Sequence, residues 1–337
     1  MTEKNLGKGT EESTTESVKI GSYTSADTVP LKLLQDHDLI KGIVDYNTVQ
    51  LRHAQLNPTN KCNLACEFCS CKDRDQMLEW GREEMEQLIH DLEVLGCAAV
   101  TITGGGEPLL YRWINELIAL CVWKAIFVGL VTNGTKMQLI PPNVSWVRIS
   151  ADTNRMFDSY DLDKRRKGPD YAFSFVAHRA LNRFRQAVYP LGELKKFVEY
   201  ANSQEDFTHV RVVSDIYNPT DSIIADARVL LKGIDHKVIY QSRVNPTKGV
   251  EKCLISLLKP VIGADMKVYP CCGVQYAVKE SKRDYNPTLS MGDAKDLIRI
   301  SRDQRWFDGS ICDVCYYSSY NEHLNMLTKK LNHREWI

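Results

Sequence analysis

Residues 98–106 read Ala-Ala-Val-Thr-Ile-Thr-Gly-Gly-Gly, a β-branched run that ends abruptly in three glycines. The run predicts a buried strand, and the glycines predict a tight turn at its carboxyl end. Moving outward, other short apolar runs end in a similar way, for example at Asn133-Gly134. Most of these runs are followed by a segment with helical spacing. Strands that alternate with helices imply βαβ units and a parallel sheet.

The predicted elements are defined by hydrophobic periodicity. Strands are predicted at 52–58, 98–103, 126–132, 145–150, 209–215 and 237–241, and helices at 82–95, 113–122, 171–185, 194–201 and 221–231. Six strands with helices after most of them predict an α/β protein. The pattern suits either a partial barrel or an open doubly wound sheet, and it does not separate the two.

The composition is that of a soluble globular protein, with 43% hydrophobic and 26% charged residues in a chain of 337. The net charge is zero, so whole-protein electrostatics give no support for a nucleic-acid or membrane partner. The polar residues 1–27 predict a disordered leader without the apolar core of a signal peptide. No apolar stretch approaches the roughly 20 residues that span a bilayer, and we expect a cytoplasmic protein.

The chain divides into four segments by composition. After the leader, residues 28–50 form an N-terminal lead-in, and residues 51–244 form the α/β domain. Residues 245–337 are rich in turns and carry five of the eleven cysteines, which predicts a small second module with a helical tail over 322–331.

Cysteines are unusually frequent for a cytosolic chain, where disulfides are rare. Their grouping points instead to metal or cluster ligation. Cys62, Cys66 and Cys69 follow the first predicted strand, at the edge where parallel α/β proteins build active sites. Three thiolates on one loop can hold three irons of a cubane and leave the fourth iron open. By spacing alone, a zinc site with a fourth ligand from elsewhere is the alternative.

Four motifs resemble those of the radical S-adenosylmethionine (SAM) superfamily. Cys62-Asn-Leu-Ala-Cys-Glu-Phe-Cys69 resembles its cluster loop, and Thr103-Gly-Gly-Gly-Glu-Pro108 resembles its GGE motif. Val131-Thr-Asn-Gly-Thr135 is also typical, and Val147-Arg-Ile-Ser-Ala-Asp152 resembles its ribose-contacting strand end. The motifs fall in the family's order on successive predicted strand ends, over about residues 50 to 245.

The resemblance implies a partial (β/α)6 TIM-like barrel. It implies a [4Fe–4S] cluster on Cys62, Cys66 and Cys69, with SAM chelated at the open iron. The implied cofactor-binding residues are Phe68, Gly104, Gly105, Gly106, Glu107, Asn133, Ser150 and Asp152. Among them, the backbone of residues 105–107 would hold the methionine amino group, and Ser150 and Asp152 would contact the ribose or the carboxylate. Taken singly, a glycine run is a turn, and Ser150 or Asp152 is a cap.

The C-terminal cysteines resemble the twitch extension, a shortened relative of the SPASM domain. The resemblance implies one auxiliary [4Fe–4S] cluster, and the implied ligands are Cys253, Cys271, Cys312 and Cys315. Cys272 is an alternative to Cys271, and a structural zinc site is an alternative to the cluster. Relatives carry a glycine five residues before the second ligand, where this chain has Met266.

The implied activity is reductive cleavage of SAM to a 5′-deoxyadenosyl radical that takes hydrogen from a C–H bond. The expected substrate is a small polar molecule, such as a sugar, cyclitol or nucleoside, which is oxidised or rearranged. A peptide, a base in nucleic acid, and a non-catalytic iron–sulfur or zinc protein are the alternatives. An external one-electron donor such as flavodoxin or ferredoxin is implied by the family.

Two groups of polar residues are further candidates for substrate contacts. The basic run of Lys164, Arg165, Arg166 and Lys167 follows a predicted strand, which could bring it to the active-site face to meet a phosphate. Arg211 and Gln241 lie in or near predicted strands, where they could face the barrel interior. A polar side chain there is either paired or binds substrate.

Overall fold

The structure is a computed structural model that describes residues 29–178, 180–181, 187–188, 191–217, 219–244, 247–278 and 283–329. The predicted leader, residues 1–27, lies outside the described residues. Within the lead-in, Val29–Gln35 and His37–Tyr46 form helices α1 and α2. In the described part of the chain, no helix combines the length and the apolar character that crossing a membrane requires.

The remaining elements follow the predicted alternation closely. The helices are α3 (Arg82–Val94), α4 (Ile114–Trp123), α5 (Leu194–Ser203), α6 (Asp221–Leu230), α7 (Ile255–Leu258), α8 (Leu297–Arg302) and α9 (Ser318–Leu327). The strands are β1 (His53–Leu56), β2 (Ala99–Ile102), β3 (Phe127–Thr132), β4 (Trp146–Asp152), β5 (Asp170–Ala177), β6 (Ala180–Leu181), β7 (Ala187–Val188), β8 (Phe207–Ser214), β9 (Val238–Gln241), β10 (Lys252–Cys253), β11 (Val261–Ile262), β12 (Lys267–Tyr269), β13 (Gly292–Asp293) and β14 (Phe307–Asp308).

One large sheet organises the molecule, with the strand order β13-β12-β11-β1-β2-β3-β4-β5-β8-β9. The strands from β11 to β9 in this order run parallel, while β12 and β13 are antiparallel to their neighbours. The sheet and its helices form a partial barrel, as the resemblance to the radical SAM superfamily implied, and not an open doubly wound sheet. Short antiparallel pairs, β6 with β7 and β10 with β14, lie outside it.

The predicted helix over 171–185 is wrong, because its first half is the strand β5. In this strand Tyr171, Phe173 and Phe175 are fully buried, and Phe173 and Phe175 pack their rings against Phe197 of α5. Alternation of aromatic and small residues with period two fits a strand whose large side chains point to one side. With β5 and with β11, which pairs in parallel with β1, the described residues form eight parallel strands, two more than the six predicted.

Burial alternates along the strands and separates the two faces of the sheet. In β1, β2 and β4 every second residue is buried, and the intervening residues are half-buried, except for Asp152 at the end of β4, which is buried. Helix α3 covers the outer face with the stripe that its periodicity predicted, including the buried Met85, Leu88 and Leu92. The interior face is polar, so the site that it surrounds can hold a hydrated or charged ligand.

Candidate active site

The cysteine loop, which carries Cys62, Cys66 and Cys69, follows β1. Backbone hydrogen bonds join its parts to one another. At its base, Asn60 N donates to Leu78 O at 2.9 Å. Within the loop, Cys69 N donates to Cys66 O at 3.2 Å. Backbone N–H groups also reach two of the thiols: Leu64 N lies 3.5 Å from Cys62 Sγ, and Cys71 N lies 3.4 Å from Cys69 Sγ. Such N–H groups stabilise sulfur in its thiolate form.

Burial and nearby charges shift the pKa of Cys66, the middle cysteine of the loop. Burial raises the pKa of Cys66 to about 11, and the negative charges of Asp152, Cys69 and Cys62 add to the increase, while Arg155 opposes it. A thiol with this pKa is protonated at neutral pH. It becomes a ligand only when a positive group such as iron replaces its proton. Three thiols on one loop are the type of donor that an iron–sulfur cluster or a zinc ion takes.

The glycine loop consists of Gly104, Gly105 and Gly106 and follows β2. It packs directly against the base of the cysteine loop. A Cβ added at Gly105 would lie 1.9 Å from Asn60 Oδ1, and one added at Gly106 would lie 2.0 Å from Lys61 O. The backbone also bonds across this contact, with Gly106 N donating to Thr59 O at 3.1 Å and Glu107 N to Lys61 O at 2.7 Å. Side chains at residues 105 and 106 would separate the two loops.

Glu107 ties the end of β2 to the end of β3. Its carboxylate is 1% exposed and accepts hydrogen bonds from Thr132 Oγ1 at 2.7 Å, Asn133 N at 2.6 Å and Leu109 N at 3.1 Å. Burial raises the pKa of Glu107, and these donors oppose the increase. The side chain thus holds neighbouring strand ends in register.

Asn133 connects β3 to the cysteine loop. Its Nδ2 donates to Asn63 Oδ1 at 2.9 Å and lies 4.0 Å from Cys62 Sγ. Asn63 in turn donates to Thr135 Oγ1 at 2.8 Å. The structure therefore places the predicted residue Asn133 beside the first predicted ligand.

The end of β4 lies on the other side of the cysteine loop. Asp152 is buried, and its Oδ1 accepts from Asn154 N at 2.8 Å and lies 3.8 Å from His178 Nε2. The ring of His178 packs against the ring of Phe68, with centroids 4.8 Å apart. Ser150 is half-buried on the interior face of β4. The predicted Phe68, Ser150 and Asp152 thus surround one edge of the site.

Arg155 was not predicted from the sequence, yet it lies at the centre of these contacts. Its Nη1 donates to Asn133 O at 2.6 Å, and its guanidinium carbon lies 4.0 Å from the centroid of the Tyr160 ring. It also lowers the pKa of Cys66. The only signal in the sequence was its position in the turn directly after a strand end.

The four predicted C-terminal ligands lie around a single cavity. Cys253, Cys271, Cys312 and Cys315 line it, and most of the other lining residues are apolar or aromatic. Burial raises the pKa of Cys253 to about 11 and that of Cys312 to about 12, and the neighbouring cysteines reinforce both shifts. Buried thiols with this chemistry suit a positively charged metal group.

Cys272 does not line this cavity. Its Sγ lies 3.7 Å from the hydroxyl of Tyr317. The hairpin of β11 and β12 that precedes these cysteines forms despite the missing glycine, because Met266 adopts the left-handed conformation with φ 56°. In the described residues, no three His, Cys, Asp or Glu side chains converge closely enough to hold a single metal ion.

The barrel interior holds half-buried arginines. Arg211 faces inward as predicted, and its Nη2 donates to Ser174 Oγ at 2.7 Å while its Nη1 donates to Gln241 Oε1 at 3.3 Å. Burial and the nearby Arg148 and Arg243 lower the pKa of Arg211. The sequence did not single out Arg148 or Arg243.

The basic run lies away from the site. Its four residues come directly before β5 and therefore lie near the amino edge of the sheet, so the expectation that they reach the active-site face is wrong. Arg165 pairs with Asp206 at 3.1 Å and also bonds Tyr200 Oη at 2.7 Å. Lys164 pairs with Asp161. These partners give Arg165 a structural role between β5 and β8.

Comparison with known proteins gives a family match over the site. Residues 56–188 match the Radical SAM superfamily. The chain is 35% identical over 98 residues to the GTP 3′,8-cyclase of Synechocystis sp., which covers 28% of this chain and 30% of that protein. It is 33% identical over 103 residues to an S-adenosylmethionine-dependent nucleotide dehydratase of Flammeovirga pacifica, which covers 27% of this chain and 35% of that protein. The matches thus span about a third of these relatives.

A solved structure shares the fold over most of the chain. Streptococcus suis SuiB, crystallised with its precursor peptide SuiA, gives a TM-score of 0.53 at 14% identity, covering 89% of this chain and 79% of that chain. Known radical SAM proteins bind a [4Fe–4S] cluster and SAM. The cysteine loop, the glycine loop and the ends of β1 to β4 lie within residues 56–188, so this part of the chain is a Radical SAM domain.

Proposed function

We propose that this chain cleaves SAM reductively and uses the resulting radical to oxidise or rearrange a small polar substrate of the sugar, cyclitol or nucleoside kind. The observation that carries the proposal is the meeting of the cysteine loop, the glycine loop and the end of β4 above a polar barrel interior. The sequence relatives named above are a nucleotide cyclase and a nucleotide dehydratase, which favours the nucleoside type.

In this proposal Cys62, Cys66 and Cys69 hold a [4Fe–4S] cluster. When bound, the cluster and SAM supply the electron and the 5′-deoxyadenosyl radical that removes hydrogen from the substrate. The methionine amino group donates hydrogen bonds, so the carbonyl oxygens of the glycine loop would receive it. Ser150 and Asp152 would orient the ribose or the carboxylate from the end of β4. Phe68 and His178 would shield the loop from water on that side.

Cys253, Cys271, Cys312 and Cys315 would hold an auxiliary [4Fe–4S] cluster. Four protein ligands leave no iron open, so such a group would exchange electrons rather than bind substrate. This role suits an oxidation, in which a substrate radical must lose an electron. An external flavodoxin or ferredoxin would supply the first electron.

The test is the content of iron, sulfide and zinc after anaerobic reconstitution. Two cubanes predict about 8 irons in the wild type and about 4 in a Cys62→Ala/Cys66→Ala/Cys69→Ala variant. Cys71→Ala is the matched control, since this buried thiol lies two residues beyond the loop and bonds Gln275 at 2.9 Å. It should keep all the iron.

SAM cleavage is measured on the same preparations as methionine and 5′-deoxyadenosine released with dithionite. The wild type and Cys71→Ala should release both products, and the triple variant should release neither. About 4 irons with one zinc in the wild type would make the second module structural. Absence of iron from the wild type would overturn the radical proposal.

A further inference from the structure

Three arginines form a cluster inside the barrel, and the proposed chemistry at the cysteine loop does not use them. Arg148 lies on the interior face of β4, and Arg211 lies on β8. Arg243 follows the end of β9 and donates to Ser214 O, at the end of β8, at 3.2 Å. We call Arg148, Arg211 and Arg243 the arginine cluster. It extends from the carboxyl edge of the sheet into the barrel.

The arginine cluster lacks carboxylate partners. Among the described residues, no Asp or Glu carboxylate forms an ion pair with any of the three. The hydrogen bonds of Arg211 and Arg243 go to neutral groups, and the buried Nε of Arg148 has no hydrogen-bond partner. Arg165, by contrast, has its carboxylate partner. Holding half-buried charge without a partner is costly, which favours a ligand that supplies the missing negative charge.

The surroundings limit where the missing charge can come from. Below Arg148 lies the ring of Trp146, with its centroid 6.0 Å from the guanidinium carbon. On another side, Lys259 adds a further positive charge that repels Arg148. Cys272 and Tyr317 also lie near Arg148 and Arg211, and they offset the positive charge only when they are ionised. An anionic substrate would enter from the carboxyl edge, where the proposed cofactors bind.

We propose that the arginine cluster binds the phosphate groups of a free nucleotide, which makes the substrate a nucleotide rather than an uncharged sugar or nucleoside. This proposal rests on the function proposed above, because the phosphate contacts would orient the substrate of that reaction. Guanidinium groups match phosphate oxygens in bidentate geometry, and several of them match a chain of phosphates.

The dimensions agree with this orientation. Arg148, Ser150 and Asp152 share one face of β4, and strands rise about 3.3 Å per residue. Arg148 therefore lies about 7 Å below Ser150 and about 13 Å below Asp152 along the strand. A nucleotide with its phosphates on the arginine cluster would present its sugar or base towards Ser150 and the cysteine loop.

The experiment measures binding by calorimetry to the anaerobically reconstituted full chain. The probes are inorganic tripolyphosphate, the four ribonucleoside triphosphates, their parent nucleosides and a single-stranded oligonucleotide. We expect tripolyphosphate and at least one triphosphate to bind, more weakly at high salt, and the parent nucleosides to bind at least tenfold more weakly. Arg211→Gln and Arg243→Gln should each weaken tripolyphosphate binding about tenfold or more.

Arg302→Gln is the matched control, because it removes an exposed guanidinium from α8, outside the barrel. It should bind tripolyphosphate as the wild type does. Arg243→Gln complements Arg211→Gln because it alters the carboxyl edge and not the interior. Circular dichroism confirms that each variant is folded.

Several outcomes would overturn the proposal. One is no binding of tripolyphosphate, and another is equal binding by the arginine variants and the control. Loss of iron from the arginine variants without any phosphate binding would show that the arginine cluster balances the charge of the metal groups. Tighter binding of the oligonucleotide than of any triphosphate would identify nucleic acid as the partner.

SAM cleavage on the same preparations separates the two proposals. Cleavage without tripolyphosphate binding overturns only the phosphate site. Tripolyphosphate binding without SAM cleavage, in fully iron-loaded protein, overturns the proposed function and leaves the anion site standing.

Discussion

At the scale of single residues, the site depends on backbone atoms that lie closer than any side chain would allow. Gly106 shows this best, because its Cα faces the carbonyl of Lys61 across the contact between two loops. Backbone cannot swing aside as the end of a flexible side chain can. The spacing between the cysteine loop and the glycine loop is therefore determined by a missing methyl group.

Gly106→Ala should lower the free energy of unfolding by about 1–3 kcal/mol and weaken SAM binding, because the two loops must separate. Gly192→Ala is the control, since an added Cβ there meets nothing within 4 Å. Urea denaturation measures the stability, and equilibrium dialysis measures SAM affinity. If Gly106→Ala matches Gly192→Ala in both, the close contact does not matter.

His209 gives a pH dependence with a definite sign. Burial and the charges of Arg148 and Arg211 lower the pKa of His209 from 6.5 to about 4. Between these values the unfolded chain takes up a proton that the folded chain rejects, so stability falls as the pH falls below about 6.5. The contribution amounts to about 1 kcal/mol between pH 7.5 and pH 5.5.

The test compares the free energy of unfolding of wild type and His209→Gln at pH 7.5, 6.5 and 5.5. The variant should lose less stability on acidification, by about 1 kcal/mol. His323→Gln, which removes an exposed histidine from α9, should follow the wild type. Identical pH curves for wild type and His209→Gln would contradict a buried neutral histidine.

At the scale of elements, the hairpin of β11 and β12 brings the C-terminal cysteines to the barrel. Its turn holds Met266 in the left-handed conformation, which costs an L-residue about 1–2 kcal/mol. The hairpin contacts compensate for this strain. Trp80 Nε1, for example, donates to Gly263 O at 2.7 Å.

Comparing glycine with alanine at one position isolates the backbone effect. Met266→Gly should be more stable than Met266→Ala by about 1 kcal/mol, because only glycine adopts positive φ without strain. At Met326, in the last turn of α9, the order should reverse, with alanine more stable than glycine. Thermal unfolding of the four variants measures both differences. If the stability difference between the glycine and alanine variants has the same sign at residues 266 and 326, the left-handed conformation of Met266 is refuted.

At the scale of the whole molecule, the cysteine-rich module is continuous with the barrel. Gln55 and Leu56 of β1 pair with Val261 and Ile262 of β11, and the side chain of Asn57 donates to Tyr285 Oη at 2.6 Å. We infer that the segments predicted as 51–244 and 245–337 fold as one cooperative unit.

A chain truncated after Val244 should therefore aggregate and lose its resistance to limited proteolysis, because β1 becomes an unpaired hydrophobic edge. Size-exclusion chromatography and trypsin digestion measure this against the full chain. A monomeric, protease-resistant truncated chain would instead establish two independent domains.

The sequence predicted β1, β2, β3, β4, β8 and β9 because strands depend on local patterns, and the site at their carboxyl ends stays a prediction. The prediction of a helix was wrong for β5. Its apolar residues fit both a helical and a strand pattern, and the packing of its aromatic rings on α5 favours the strand. The sequence could not show which of Cys271 and Cys272 faces the cavity. Neighbouring side chains point in different directions, and the hairpin geometry determines which one points inward. The sequence analysis missed Arg148 and Arg243. They lie on segments that are far apart in the sequence, and only the fold brings their charges together inside the barrel.

The pairing of β1 with β11 also has a consequence for synthesis on the ribosome. The first strand of the barrel emerges early, but its partner on one side emerges only after Val261 has been added. Until then the nascent chain carries an open strand edge next to the three thiols of the cysteine loop. Protection by a chaperone, and delayed delivery of iron, would therefore matter most during this interval of translation.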